Sequence, residues 1–396
     1  MSLILTIVIY VAFVSLGLPD SLLGSAWPVM HLELGAAVSV AGAVSMITSV
    51  CTIVSSLFSV RAVKKLGSSL LIALSVVMTS AAMVCFSLAT AAWQLFLFAI
   101  PYGLGAGAID SCLNNYVALH LSSRHMSWLH CCWGIGATLS PYIMGFCLGS
   151  EAGWRGGYRL VAVLQGVIAV AMFASVPLWI KSEKLAARGE PDGGQIVLSI
   201  PKIFRIKGVT VFFLGFLCYC ALETLPMVWA GTYFSMTHGI DSESAAFFAS
   251  MFYIGLTASR MLSGFVSEKI GDRRLIRSGI LTAISGTVLI ALPVGSHVPA
   301  VIGFIVAGFG CGPVYPSIIH STPSNFGREY SGSIIGVQMG FAYIGMTNAP
   351  FLFGKLSEIV TMRALPYCMI AFAVLSLIFT ERTNVVVDRT AVEKYG

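Results

Sequence analysis

Charge is scarce in this chain. Asp, Glu, Lys and Arg make up only 10% of its 396 residues, whereas 57% are hydrophobic and the mean hydropathy is +0.88. That balance excludes a soluble globular protein and points to a polytopic membrane protein. The alternation of a membrane barrel is absent too, so the expected class is all-α integral membrane. The basic residues form no patch but fall in short loops between apolar runs, which excludes nucleic acid as a partner. The ten cysteines lie in apolar segments, with no pair at metal-ligand spacing near histidines. They read as small packing residues, and neither a metal nor another cofactor is expected. There is no ATP-binding loop, no His-Glu-x-x-His pair and no placed nucleophile and base, so an enzyme is not expected. The first apolar run lacks a basic region before it and continues past signal-peptide length. It is expected to be a first transmembrane helix rather than a cleaved signal.

What is present is a series of twelve apolar windows, each long enough to cross a bilayer as a helix. Their expected limits are 3–30, 36–60, 69–90, 93–120, 128–150 and 157–180, then 208–235, 243–266, 277–294, 299–321, 331–354 and 363–381. The chain thus divides into a six-helix bundle at 1–180, a solvated linker at 181–207, a second bundle at 208–382 and a tail at 383–396. The linker carries Lys181, Glu183, Lys184, Arg188, Glu190, Asp192, Lys202, Arg205 and Lys207 around a Pro-Asp-Gly-Gly turn. Placing the N-terminus inside puts most basic residues on the cytoplasmic side and leaves only Arg155, Arg159, Lys355 and Arg363 outside. Both termini are therefore expected in the cytoplasm, with the protein in the cell membrane.

The two bundles repeat. Gly103, Gly105 and Gly107 recur as Gly308, Gly310 and Gly312; Gly67 recurs as Gly271, Pro141 and Gly145 as Pro350 and Gly354, and Asp20 as Glu223. The offset stays near 205 residues, roughly 203 to 209, which marks a duplication into pseudo-symmetric halves with a site expected at the midplane between them. Gly103-x-Gly-x-Gly is not a nucleotide loop, since no strand precedes it; it is a helix-packing stripe.

Three acids lie inside spans: Asp20, Asp110 and Glu223. A carboxylate at mid-bilayer costs about 2.5 to 3.5 kcal/mol on insertion scales, so each is a candidate functional group. Asp110 and Asn114 stack one turn apart on the same face. Asp20 follows Pro19, whose missing N–H predicts a kinked helix. Glu223 shares a stripe with Tyr219, Pro226, Trp229 and Tyr233, a pattern that suits the hydroxyls and ring of a sugar, or an organic cation. Trp229 could equally be an interface anchor. His130 sits in span five, one turn from Trp133, and reads either as a packing residue or as a proton relay. The amides Asn114, Asn115, Gln338 and Asn348 read either as helix glue or as solute contacts. Arg260 is expected to snorkel towards the cytoplasm. His320, in the proline-broken tenth span, is a weaker candidate.

The loop Gly264-Phe265-Val266-Ser267-Glu268-Lys269-Ile270-Gly271-Asp272-Arg273-Arg274 resembles the signature loop of the major facilitator superfamily, and the twelve-helix pattern matches that family across the chain. The resemblance implies the major facilitator fold and a gating role for Gly264, Glu268, Lys269, Gly271, Arg273 and Arg274. In the first-half copy, Val60 to Gly67, Lys64 stands where the acid should be. Within the superfamily the chain is similar to the fucose–galactose–glucose:proton symporter group. The likeness rests on Gly17-Leu18-Pro19-Asp20 with Trp27-Pro28, on Asp110 with Asn114, and on Leu129-His130 followed by Gly134, Gly136 and Pro141. Tyr219, Glu223, Trp229 and Tyr233, and Gly312-Pro313-Val314-Tyr315-Pro316, complete it. That group's acids in spans one and four are implicated in proton coupling and sugar recognition, and Asp20 and Asp110 match them.

The expectation is a secondary active transporter, a monomer, that takes up a small polar solute with protons by alternating access. A monosaccharide or related polyol is the expected cargo. Proton-coupling residues are expected to be Asp20, Asp110, His130 and Glu223. Solute contacts are expected at Asp20, Asp110, Asn114, Trp133, Tyr219, Glu223, Trp229, Gln338 and Asn348. The main rival is a proton-linked antiporter exporting a drug-like or amphipathic metabolite, which would use the same acids in a more apolar cavity. A nutrient sensor is a weaker rival, since it usually carries a large soluble tail.

Overall fold

The computed structural model describes residues 3–36, 40–189, 196–240 and 242–395. It is helical almost throughout, as expected from a chain whose backbone polar groups must be satisfied within each span. The first half holds α1 (Leu3–Gly17), α2 (Leu22–Glu33), α3 (Val40–Leu66), α4 (Ser68–Ser87), α5 (Ala92–His120), α6 (Ser123–Leu148) and α7 (Gly153–Gly189). After them come the short α8 (Ile200–Ile203), then α9 (Val209–His238), α10 (Ser242–Ile270), α11 (Asp272–Ala291), α12 (Val298–Cys311) and α13 (Val314–His320). The chain ends with α14 (Thr322–Phe326), α15 (Ser331–Ile359) and α16 (Leu365–Tyr395). Among the described residues, ten helical stretches are long and apolar enough to cross a membrane, with α1–α2 and α12–α13 each counted once. The 29-residue α10 and α15 stand where the eighth and eleventh spans are expected.

Several helices outrun their hydropathy windows. α6 begins at Ser123, α7 continues to Gly189, α11 begins at Asp272 and α16 runs to Tyr395. Hydropathy falls where charge begins, but Lys, Glu and Arg are good helix formers, so the helix continues past the apolar stretch. Pairs across neighbouring helices support these ends: Arg277 grips Glu381 with two bonds of 2.6 Å, and Arg273 bonds Asp388 at 2.8 and 3.1 Å. The Pro-Asp-Gly-Gly turn of the linker, with Glu190 and Asp192, lies outside the described residues. At the start of α5, the Gln94 side chain accepts from the Thr90 and Ala91 amides, satisfying donors that a helix start leaves orphaned.

The chain forms two compact units. One comprises residues 1–116 and 129–197, the other 117–128 and 198–396. Each builds its packing the same way. In the first unit, a Cβ at Gly103 or Gly107 would overlap the Thr48 or Thr52 carbonyl of α3, and one at Gly105 would meet Ser75 of α4. In the second, Gly308 and Gly312 meet Phe252 and Leu256 of α10, and Gly310 meets Gly279 and Ala283 of α11. The pattern also holds where Gly136 abuts the Val14 carbonyl and Gly345 the Leu217 carbonyl. Two turns repeat as well. Gly67 (φ 79°, ψ 158°) precedes α4, and Gly271 (φ 82°, ψ 154°) precedes α11, a backbone region that a Cβ disfavours.

The small residues of α3 do more than permit close approach. Thr52 and Ser56 donate to the Gly103 and Gly107 carbonyls at 3.2 Å, and Ser55 donates to Leu104 at 2.6 Å. This hydroxyl ladder fixes the register of α5, the helix that carries Asp110.

Candidate functional site

In the first unit the site is built at a break. α1 ends at Gly17, and residues 18–21 are turns before α2 begins. Pro19 has no N–H to continue the ladder, so the first span is two helices rather than one kinked one. The break exposes Asp20. α1 can lie close to α6 because Gly17 abuts the backbone of Trp133 and Ala137 while Gly136 abuts Val14. Ser21 adds a hydrogen bond to the Ala137 carbonyl at 3.0 Å. This crossing brings both Asp20 oxygens to aromatic donors: the Tyr102 hydroxyl at 2.5 Å from Oδ1 and the Trp133 indole N–H at 2.8 Å from Oδ2.

Two turns further along α5 lies a buried polar array. Asp110 is 5% exposed, Asn114 fully buried and His130 5% exposed. The Asn114 amide donates to Asp110 Oδ1 at 2.7 Å, and its Oδ1 lies 3.1 Å from His130 Nε2. Asn114 thus links an imidazole on α6 to a carboxylate on α5, and the edge of Phe13 packs against that imidazole at 5.3 Å. The structure therefore brings together Asp110, Asn114 and His130, and separately Asp20 with Trp133.

The second unit treats its acid differently. Glu223 and Arg260 are 3% and 4% exposed, and the guanidinium donates to Glu223 Oε1 at 2.6 Å. Arg260 therefore does not snorkel. Burying a lone carboxylate costs several kcal/mol, and a guanidinium one helix away offsets that. Glu223 Oε2 has no hydrogen-bond partner among the described residues. Tyr219, beside it on α9, donates to the Cys311 carbonyl at 2.7 Å. The Trp229 indole donates to the Pro350 carbonyl at 3.0 Å and packs edge-on to Phe353, so its polar edge is taken up by α15. Gln338 is fully buried and accepts from Thr322 at 2.9 Å, whereas the exposed Asn348 bonds back to Ile344 of its own helix.

The signature loop is also engaged. Glu268 accepts from Ser122 at 2.6 Å and from Arg124 at 3.1 Å, and the Ser122 hydroxyl, ahead of the Arg124 charge, holds its carboxyl below the usual range. A Cβ on Gly264 would meet the Trp128 ring. Asp272 accepts from Ser123 at 2.6 Å. On α2, Glu33 pairs with Arg155 and accepts from the Trp154 indole at 2.6 Å; the Arg155 bond, then the Trp154 bond, depress its carboxyl.

Reading the sequence missed two partners. Tyr102 opens the glycine stripe and lies two turns from Asp110, a spacing that places it on the same face of α5. Arg260 is a basic residue inside a span, and such groups usually pair with an acid; Glu223 was available.

A family model for the major facilitator superfamily matches residues 9–350 and 212–387. An uncharacterised transporter of that type from Yersinia pestis is 23% identical over 268 residues, 66% of this chain and 65% of that protein, so the match spans less than two thirds of the relative. Multidrug resistance protein 2 of Bacillus subtilis is 22% identical over 89% of this chain and 87% of its own length. Among solved structures, a proton:xylose symporter superposes with a TM-score of 0.79 at 14% identity, covering 96% of this chain and 95% of that one. The E. coli fucose:proton symporter gives 0.76 at 13% identity, covering 96% and 98%. At that identity the structures speak to the fold alone, but the family model spans most of the sequence. This chain, a multi-pass membrane transporter and not an enzyme, belongs to the major facilitator superfamily.

Proposed function

We propose that this transporter couples the uptake of a small polar solute, a monosaccharide or related polyol, to the inward movement of protons. The observation that carries the reading is Asp20: an exposed carboxylate at a helix break, held by two neutral aromatic donors. A carboxylate so held can gain a proton without orphaning a buried cation, and its oxygens beside a tryptophan edge suit a hydroxylated ring. Asp110, bonded to the neutral Asn114 amide, is the buried proton carrier, and His130 orients that amide. Glu223 has the opposite role: its charge is matched by Arg260, so it supports the fold of the second unit rather than carrying the proton. The named activities of the xylose and fucose symporters that share the fold support this reading. The transporter works as a monomer in the cell membrane with both termini in the cytoplasm.

The test is flux in proteoliposomes. Labelled hexoses and polyols are offered under an inward proton gradient, and accumulation above equilibrium is expected for at least one. Asp110→Asn should abolish gradient-driven accumulation while preserving counterflow of the same solute; accumulation equal to the native protein would remove Asp110 from the mechanism. The likeness to the Bacillus subtilis multidrug resistance protein favours a second reading, proton-linked export of an amphipathic solute. Uptake driven only by an outward proton gradient would select it.

A further inference from the structure

In the second unit, the segment that joins α5 to α6 is fastened to α10, α11 and α13 by a short set of polar contacts. Ser122 and Arg124 bond Glu268, Ser123 bonds Asp272, and Arg328 donates to the Leu119 carbonyl at 2.8 Å. His320, the last residue of α13, completes the set: its Nδ1 lies 2.6 Å from Asp272 Oδ2, and its Nε2 lies 3.2 Å from the Leu121 carbonyl. We infer that His320 and Asp272 form a second proton-binding site, separate from the acids of the first unit, whose occupancy fastens the 119–124 segment.

A backbone carbonyl can only accept, so the imidazole must carry hydrogen on Nε2 to bond Leu121. Asp272 Oδ1 is already satisfied by the Ser123 hydroxyl, and Oδ2 faces Nδ1 at a distance where two bare acceptors would repel. A proton therefore lies between them, on either atom. The pair holds two exchangeable protons, one more than a neutral imidazole beside an ionised carboxylate. Releasing the segment lets that extra proton go, so rising pH favours release. For a single linked proton the opening equilibrium approaches a change of about tenfold per pH unit.

The other fastenings do not supply this dependence. Arginine stays charged, and Glu268 is held below the usual carboxylate range by Ser122 and Arg124. Other charged groups on the packed elements include Arg260 and Lys269 on α10 and Arg273, Arg274 and Arg277 on α11, with Arg260 paired to Glu223, Arg273 to Asp388 and Arg277 to Glu381. The fastened segment itself also carries His120 and His125. They remain in every variant below, so any response they cause is common to all.

Hydrogen–deuterium exchange on the full chain in nanodiscs tests the inference. The readout is the amides of Leu121 and His125, bonded to the Val117 and Ser122 carbonyls, followed from about pH 6 to about pH 8.5 with intrinsic exchange removed. Native protein should lose protection there with a slope approaching tenfold per pH unit. His320→Gln should be less protected, with that slope gone. Asp272→Asn is the sharper probe, because its amide can donate to a neutral imidazole at Nδ1 while its oxygen still accepts from Ser123. It should stay protected across the range with no slope. A flat native profile, a slope that survives His320→Gln, or an Asp272→Asn profile that tracks the native one overturns the proposal.

Discussion

Asp20 and Glu223 occupy matching places in the two halves of a duplicated chain, yet their surroundings have diverged. Asp20 sits exposed at a break between helices, with a tyrosine and a tryptophan as its donors. Glu223 sits inside an unbroken α9, sealed against a guanidinium. On α3, roughly where a duplicated Arg260 would fall, Ser55 and Ser56 instead bond backbone carbonyls of α5. One duplicated scaffold thus carries an acid held by neutral donors and an acid whose charge is already answered by a guanidinium. The partner, more than the carboxylate, decides which role the acid can take.

The largest expected effect comes from separating the sealed pair. Arg260→Met leaves a buried carboxylate uncompensated and should cost about 3 to 5 kcal/mol of stability. Adding Glu223→Leu removes the orphan and should restore most of the loss in thermal unfolding of the detergent-purified protein. A tolerated single variant would mean that Glu223 is as free as Asp20, and the contrast would fail. The intermediate effect sharpens the other side. Tyr102→Phe removes one donor from Asp20 and should cost about 1.5 to 3 kcal/mol if the acid rests ionised, but only about 0.5 to 1.5 if it rests protonated. Unfolding of native and variant protein across neutral and acidic pH reads which holds.

The smallest effect belongs to Glu33, which shares Glu223's kind of partner but lies exposed beside Arg155. Its carboxyl is depressed in the folded protein, by Arg155 first and then Trp154. Its contribution is therefore present above the ordinary glutamate range and lost as pH falls through the lower, folded value. Glu33→Gln should lower the melting temperature slightly near neutral pH, by well under the Arg260→Met effect, as exposed pairs are worth about 0 to 1 kcal/mol. The difference from native protein should vanish on acidification. A gap that persists at acid pH would show that shape, not charge, holds α2 to α7.

Much of the frame was legible in the residues. The glycine stripes at 103–107 and 308–312 announced both the duplication and the close helix crossings, because only glycine admits a neighbouring backbone there. The buried acids were legible for the same reason that makes them costly. Asn114 was legible as the neighbour of Asp110, one turn away on the same face; what was not legible is that Tyr102 answers Asp20 and Arg260 answers Glu223. Arg260 read as a snorkelling side chain because one sequence does not show which way a helix face turns, and Tyr102, just ahead of the glycine stripe, carried no mark of its own. The helix ends at Gly189 and Tyr395 escaped because hydropathy reports the bilayer, whereas helix formation follows the backbone and its propensities.

The length of α16 has a practical consequence. Its 31 residues at 1.5 Å each make a rod of about 46 Å, against a hydrocarbon layer of about 30 Å. The surplus is clamped to α11 by the Arg277–Glu381 and Arg273–Asp388 pairs. A dye attached near the end of that rod would ride a stiff lever arm rather than a slack tether. Its angle, read by polarised fluorescence, would report the orientation of α16 against the membrane directly.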